Sequence, residues 1–210
     1  AFIRVYIQVP QKSLNTFIKK KMLFLLAHPD SLKSIVPKEV FINPTISEDE
    51  VSEIEKRNNI ILPKGYREFI TKIGNGCIGP DYGLLSLQES MKDFKLREKP
   101  MINLSNPFPY TKAWNEKEWI ESIDWDRGER PSSAALMEYM SINHINGCLQ
   151  ICHIGHGATY LLVVNGEEYG NIWLDERTDY GGIEPLLNEK RERVSFISWF
   201  TEWLDETVPM

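Results

Sequence analysis

Four residues between positions 148 and 156 have side chains that can bind a metal ion. Cys148, Cys152, His153 and His156 offer two thiolates and two imidazoles, which are ligand types that zinc prefers. Their spacing is unlike the Cys-x2-Cys or His-x3-His pairs of zinc sites, and the stretch has the composition of a strand. Alternation along a strand would point Cys148 and Cys152 to one face and His153 to the other. The spacing therefore favours buried free cysteines, and we expect neither a metal nor another cofactor.

A cysteine nucleophile is the second kind of chemistry that the residue types allow. Cys77 follows a predicted helix, and the negative end of that helix dipole would raise the pKa of its thiol. His156 lies between two glycines, a pattern that predicts a tight turn with an exposed imidazole. No Ser or Cys lies in a Gly-x-Ser-x-Gly elbow. We therefore predict that the protein is not an enzyme.

Tryptophans that lie among carboxylates indicate a surface for binding another protein. Rigid aromatic side chains supply contact area in interfaces, and carboxylates attract a basic partner. The alternative is at least as well supported: the same tryptophans can form a satellite hydrophobic cluster under a long loop. A second acidic stretch, residues 175–182, is predicted to be an exposed loop. The predicted partner-binding residues are Trp114, Asp124, Trp125, Asp126, Asp175, Glu176 and Asp179.

The elements that position these residues centre on an antiparallel meander. Residues 148–154 and 158–164 are predicted strands, and Asn165-Gly166 opens the turn into a third strand at residues 171–174. Neighbouring strands with short connections predict an antiparallel sheet, and helices must cover one of its faces. The sequence thus predicts an α+β fold, a mainly antiparallel sheet with helices packed against it.

Capping residues and apolar stripes predict the helices. Ser47 and Glu50 form a capping box, and an apolar stripe from Tyr66 to Ile73 predicts the next helix. Ser195 is the predicted N-cap of a final helix with an aromatic stripe. Residues 84–87 and 183–187 are predicted to be short strands.

The chain divides into two predicted parts. Residues 1–44 form an N-terminal extension, with a strand at 2–9 and a helix at 13–26. Residues 45–208 form the main domain, in which residues 88–140 are irregular and rich in Trp and Pro.

Composition restricts the kinds of partner. The net charge of −6 disfavours nucleic acid, because an acidic surface repels phosphates. The longest apolar run near the N-terminus, residues 22–27, is too short to cross a membrane. Three cysteines, an odd number, suit a reducing compartment. We expect a cytoplasmic protein whose partner is another protein.

Several motifs, in the same order, resemble those of the SUKH superfamily, which includes a fungal regulator of glucan synthesis and many bacterial proteins. Shorter matches are GNG at 74–76, YGLL at 82–85 and the aromatic helix at 196–203. The longer motifs are ILPKGYREF at 61–69, NPFPYTKAWN at 106–115, GCLQICHIGHG at 147–157, LVVNGEEYGNIW at 162–173 and DYGGIEPL at 179–186. The resemblance covers residues 47–206 and leaves the N-terminal extension outside it.

This resemblance implies a SUKH-like α+β domain without catalytic residues. It implies that the protein is an immunity protein, because most bacterial members bind and neutralise a cognate toxin, often a nuclease. We expect neutralisation of a basic toxin domain by occlusion. The alternatives are a regulatory scaffold in cell-envelope synthesis, by analogy with the fungal relatives, and, least favoured, a zinc-dependent enzyme.

Overall fold

The computed structural model describes residues 11–28, 41–95, 100–124 and 132–208. The strand predicted at residues 2–9 lies outside the described residues, and so do Trp125 and Asp126.

The described chain contains a four-stranded sheet in which every neighbouring pair is antiparallel. The strand order follows the sequence, so each strand pairs with the next along the chain. The strands are β1 (Cys148–Gly155), β2 (Ala158–Val163), β3 (Ile172–Asp175) and β4 (Ile183–Pro185). The meander and the α+β class predicted from the sequence are confirmed.

Strand β1 does not alternate between a buried and an exposed face. Residues Cys148 to Cys152 are all buried. The pairing with β2 shifts between Gln150 and Cys152, which marks a β-bulge at Ile151. The outer edge of β1 is also covered, because Leu84 bridges to Cys152 and the amide of Leu85 donates to the carbonyl of Ile151 at 2.9 Å.

The helices lie before, between and after the strands. The predicted capping box is present: Ser47 Oγ accepts from the amide of Glu50 at 3.2 Å, and Glu50 Oε2 accepts from the amide of Ser47 at 3.1 Å. Ser195 Oγ accepts from the amide of Ser198 at 3.3 Å and caps the last helix. The helices are α1 (Gln11–Ala27), α2 (Glu48–Asn58), α3 (Lys64–Lys72), α4 (Leu87–Ser90), α5 (Lys117–Glu121), α6 (Ser133–Tyr139) and α7 (Phe196–Thr207), with 3₁₀ helices at Ile142–Ile145 and Arg177–Asp179.

The prediction of a short strand at residues 84–87 is wrong. Leu84 makes only isolated bridges, to Cys77 and Cys152. Ser86 Oγ then accepts from the amide of Glu89 at 3.3 Å. This N-cap begins α4 at Leu87, so the backbone turns helical where the sequence pattern predicted extension.

Helices α3 and α7 pack their aromatic faces together. Phe69 makes edge-to-face contacts with Phe196 and Phe200, at ring-centroid distances of 5.4 and 4.8 Å. Trp199 then contacts Tyr160 of β2 at 5.0 Å. These contacts place the core between the helices and the sheet, as the aromatic stripe of the last helix predicted.

Helix α1 packs on the C-terminal end of α7. Ile18, Met22 and Leu25 are completely buried. Lys21 is only 3% exposed; its ammonium donates to Asp205 Oδ1 at 2.7 Å and to the carbonyl of Val208 at 2.8 Å. A cation beside the carbonyls at a helix C-terminus is favourable, because it offsets the helix dipole. Among the described residues, no helix combines the length and the apolar character needed to cross a membrane.

Candidate protein-binding surface

Six aromatic side chains from three segments form one cluster around Trp114. The indole of Trp114 stacks on His144 at 4.2 Å, on Tyr110 at 5.2 Å and on Tyr139 at 5.5 Å. Stacked rings of this kind stabilise a fold beyond the area that they bury. We call this set the aromatic cluster: Tyr110, Trp114, Trp119, Tyr139, His144 and Tyr180.

His144 is held as a neutral imidazole inside the cluster. Its Nε2 donates to the carbonyl of Glu138 at 3.0 Å, so Nδ1 accepts from the hydroxyl of Tyr110. Burial lowers the pKa of His144. The neutral form is favoured because a half-buried imidazolium would lose hydration, and this loss outweighs the hydrogen bond to Glu138 that favours the charged form.

The backbone joins the two acidic stretches that the sequence analysis predicted to bind a partner. Trp114 and Ile183 exchange two backbone hydrogen bonds, each of 2.8 Å. Asn115 Nδ2 donates to the carbonyl of Tyr180 at 2.9 Å, and Asn115 Oδ1 accepts from the hydroxyl of Tyr139 at 2.7 Å. Segments that are about sixty-five residues apart in sequence therefore lie side by side.

Gly182 is needed for this close approach. Its φ is +84°, and a Cβ at this position would overlap the carbonyl oxygen of Trp114. Glycine is the residue that adopts this conformation without strain and leaves room for the neighbouring backbone.

Asp175 was predicted to lie on the binding surface, and the structure buries it completely. Its two carboxylate oxygens accept from Nε and Nη2 of Arg177, each at 2.9 Å, and Lys95 Nζ lies 3.4 Å from Oδ2. Burial raises the pKa of Asp175, but the hydrogen bonds and charge of Arg177, with the charge of Lys95, bring it below the usual value. Residues 175–182 were predicted to form an exposed loop. This prediction is wrong for the first residues, because an internal ion pair holds Asp175 and Arg177 inside the protein.

Arg177 also ties the aromatic cluster to the sheet. Its Nη1 donates to the carbonyls of Tyr139 and Ser141, at 3.2 and 2.8 Å. The guanidinium thus fixes the end of α6, which carries Tyr139, against the end of β3. Neither this role of Arg177 nor the burial of Lys95 has a signal in the local sequence.

The other predicted residues have mixed surroundings. Trp114 is half-buried and packs against the main hydrophobic core. Asp124 and Glu176 are half-buried, and Asp179 is exposed. The structure therefore brings Trp114, Glu176 and Asp179 to one region and removes Asp175 from the surface.

Six exposed carboxylates are close in sequence to residues of the aromatic cluster. Each of them is within three positions of a cluster residue or of Ile183, the backbone partner of Trp114. In residues 110–124, 132–144 and 176–185, the Lys and Arg residues are Lys112, Lys117 and Arg177; Lys112 is exposed and Arg177 is buried. We call these residues the acidic rim: Glu116, Glu118, Glu121, Glu138, Asp179 and Glu184.

The structure separates the four residues that were considered for zinc. Cys148 and Cys152 are completely buried, and burial raises the pKa of Cys148 well above its ordinary value. His153 packs edge-to-face on Phe94 at 4.5 Å, whereas His156 is exposed in a turn. Across residues 11–28, 41–95, 100–124 and 132–208, no group of three or more His, Cys, Asp or Glu residues is placed to hold a metal ion.

Cys77 is also inaccessible. It is completely buried, and burial raises the pKa of its thiol, with a further contribution from Cys152. A buried thiol with a raised pKa is a poor nucleophile at neutral pH. Loss of hydration is therefore the main reason for its low reactivity, rather than the helix dipole that the sequence analysis invoked.

Comparison with known proteins tests the family resemblance. No curated protein matches the chain at a significant level of sequence similarity. The sequence profile of the SMI1 / KNR4 family (SUKH-1) matches residues 45–206. This match covers more than half of the chain, includes every motif named above and agrees with the observed α+β fold. The chain therefore belongs to the SMI1 / KNR4 family (SUKH-1).

Proposed function

We propose that this protein is an immunity protein that binds a cognate toxin domain and neutralises it by occlusion, without catalysing a reaction. Membership of the SMI1 / KNR4 family (SUKH-1) supports an immunity-protein or regulator-like role in general. The observation that carries the more specific proposal is the acidic rim around the aromatic cluster.

The charge of this surface suits a basic partner. The acidic rim presents six exposed carboxylates, and the net charge of the chain is −6. Fields of this kind speed the encounter with a positively charged protein and repel nucleic acid. A nuclease must attract phosphates and therefore has a basic working surface. A toxin domain of this class would be blocked by a protein that presents carboxylates in place of phosphates.

The aromatic cluster suits a tight complex. Half-buried Trp and Tyr side chains give an interface contact area at little cost in conformational entropy, because the stacking already fixes their rings. Arg177 and Gly182 hold the backbone beneath them. A partner would therefore meet a surface that is largely formed before binding.

The three cysteines support action in the cytoplasm. All of them are buried thiols outside any disulfide, as is usual in a reducing compartment. We propose that the protein meets its toxin there.

A pull-down from the native host with tagged protein tests the proposal. After washing at high salt, we expect one basic polypeptide in stoichiometric amount, identified by mass spectrometry. Expression of that polypeptide alone should arrest growth, and co-expression of the protein should restore it. A diffuse set of partners that high salt removes would instead favour a regulatory scaffold. A captured polypeptide that is harmless when expressed alone would contradict the immunity role.

A further inference from the structure

Helix α1 has exposed apolar side chains in addition to the buried ones that pack on α7. An isolated amphipathic helix of a folded protein usually has polar residues on its solvent side. In α1, Leu23, Phe24 and Leu26 are 55%, 39% and 40% exposed. Exposed apolar groups that lie close together are typical of an interaction site.

Two lysines lie on the same exposed side of α1. Lys19 and Lys20 are exposed, and they precede Leu23 and Phe24 by four positions. Residues four positions apart are neighbours on the surface of a helix, so each ammonium group lies next to an apolar side chain. Residues 11–27 contain four lysines and no Asp or Glu. This side of the helix is therefore both apolar and basic.

The charge of the chain is distributed unevenly. Residues 1–40 contain seven Lys and Arg residues and two Asp and Glu residues, so their net charge is +5. The whole chain has a net charge of −6, which leaves −11 for residues 41–210. A segment whose charge is opposite to that of the rest of the chain indicates a separate, anionic partner.

The carboxylates that α1 contacts inside the protein are already paired. Asp205 Oδ1 accepts from the ammonium of Lys21 at 2.7 Å. Glu68 Oε2 accepts from Asn15 Nδ2 at 3.0 Å and lies 3.7 Å from Lys72 Nζ. Within the described part of the chain, no carboxylate forms an ion pair with either of the two exposed lysines. Their charges therefore face solvent and suit an external anion.

We propose that this side of α1 binds the surface of a membrane that contains anionic lipids. We call it the basic apolar face: Lys19, Lys20, Leu23, Phe24 and Leu26. The helix would lie in the headgroup region, with its apolar side chains at the boundary with the acyl chains and its ammonium groups at the lipid phosphates. Two lysines and three apolar side chains predict weak, reversible binding to one leaflet. The inference does not depend on the proposed immunity role.

A membrane surface suits this face better than an acidic protein does. The lysines lie among the apolar side chains, whereas protein interfaces usually exclude charges from their apolar centre and place them at the rim. Lipids rearrange around a convex helix, and long lysine side chains reach the headgroups while their stems stay in apolar surroundings.

Binding of the full chain to lipid vesicles tests the proposal. We expect it to sediment with vesicles of phosphatidylglycerol and phosphatidylcholine in equal parts, and to bind pure phosphatidylcholine vesicles about tenfold more weakly or less. High salt should weaken the binding to anionic vesicles, because it screens the lysines. In the variant Phe24→Trp, brominated lipids should quench additional fluorescence compared with the unchanged chain, which has six tryptophans.

Paired variants separate the contributions of charge and apolar contact. Lys19→Gln, Lys20→Gln should weaken binding to the anionic vesicles by about tenfold or more. The control Lys56→Gln, Lys64→Gln makes the same change in net charge at exposed positions of α2 and α3 and should change binding by less than about twofold.

The apolar pair Leu23→Gln, Phe24→Gln should also weaken binding by about tenfold or more. Met137→Gln is its control, because Met137 is 75% exposed on α6. Thermal unfolding that matches the unchanged chain would show that the variants fold.

Four outcomes would overturn the membrane contact. They are no binding to anionic vesicles, binding that both α1 variants retain, equal binding to neutral vesicles, and absence of additional quenching in Phe24→Trp. Self-association that the apolar pair abolishes and vesicles do not compete with would assign the face to a second copy of the chain. Capture of an acidic protein through the same residues, without vesicle binding, would assign it to that protein. Either assignment would also overturn the proposal.

Discussion

The guanidinium of Arg177 lies against the carboxylate of Asp175, and both side chains are completely shielded from solvent. Each nitrogen–oxygen distance in this bidentate pair is 2.9 Å. The pair connects the last residue of β3 to the carbonyls of Tyr139 and Ser141. It thereby couples the sheet to the aromatic cluster, and the stability of the proposed binding surface should depend on it.

Loss of one partner of this pair should strongly destabilise the protein. Arg177→Leu leaves the carboxylate of Asp175 buried beside Lys95 alone, so the free energy of unfolding should fall by about 3–5 kcal/mol. Denaturant unfolding of the purified variant measures this loss. The triple variant Lys95→Met, Asp175→Leu, Arg177→Leu is the control and should recover part of it, because neither a buried carboxylate nor a buried ammonium is then left without its partner. A fall of less than about 1 kcal/mol in the single variant would show that the pair is dispensable.

Acidification should destabilise the aromatic cluster through His144. Its pKa is lower in the folded protein than in the unfolded chain, where it is about 6.5. The contribution to stability is therefore complete above the pKa of the unfolded chain and is lost as the pH falls below it towards the lowered pKa of the folded protein, because the unfolded chain then binds the additional proton. Unfolding free energies measured across this range should show the decline.

The control for this prediction is a pair of histidine substitutions. His144→Phe keeps a ring in the stack but cannot titrate, so much of the dependence on pH between about 7 and 5 should disappear. His156→Phe changes an exposed histidine in a turn and should retain that dependence. Equal pH profiles for the two variants would contradict the role of His144.

Reversing charges on the acidic rim should slow binding of the toxin. The triple variant Glu118→Lys, Glu121→Lys, Asp179→Lys removes the attraction at the proposed surface, so the association rate at low salt should fall by about tenfold or more. The control triple Glu53→Lys, Glu202→Lys, Glu206→Lys makes the same change in net charge at exposed positions of α2 and α7 and should have a smaller effect. Stopped-flow or surface-based kinetic experiments measure the association rates of both triple variants. Equal association rates for the two triple variants would show that the acidic rim is not part of the interface.

A methyl group at Gly182 should separate β4 from the segment that carries Trp114. Gly182→Ala adds strain at positive φ and a collision with the carbonyl of Trp114, and should cost about 2–4 kcal/mol of stability. Gly170→Ala is a matched control, because Gly170 has a φ of +86° but an added methyl would make only an ordinary van der Waals contact, 4.0 Å from Cβ of Pro63. Its cost should be about 1 kcal/mol, from strain alone. Similar losses in the two variants, measured by thermal or denaturant unfolding, would show that the collision is absent.

Local signals in the sequence predicted the meander and the helix caps. The Asn165-Gly166 turn, the capping box at Ser47 and the N-cap at Ser195 each depend on residues within a few positions of one another. Such turns and caps can be predicted without knowledge of the tertiary fold. The family resemblance then extended the prediction to the fold class, and the sequence profile confirmed it.

The burial of Asp175 and Lys95 could not be predicted from local signals of this kind. An acidic residue after a strand looks like part of an exposed loop. Its main partner, Arg177, is only two residues away, but the carbonyls near residue 140 that hold Arg177 inside the protein, and Lys95, are far away in sequence. The bulge at Ile151 has a similar origin, because it depends on how β1 pairs with β2. Contacts between distant segments decide such positions, and a single sequence does not show them.

The bond between Lys21 and the carbonyl of Val208 has a consequence for how the chain is made. Helix α1 is synthesised well before α7, the helix on which it packs. Until α7 is present, the apolar side of α1 lacks this partner and is open to chaperones or to aggregation. The docking of α1 on α7 is therefore a late step of folding that waits for residues 196–208.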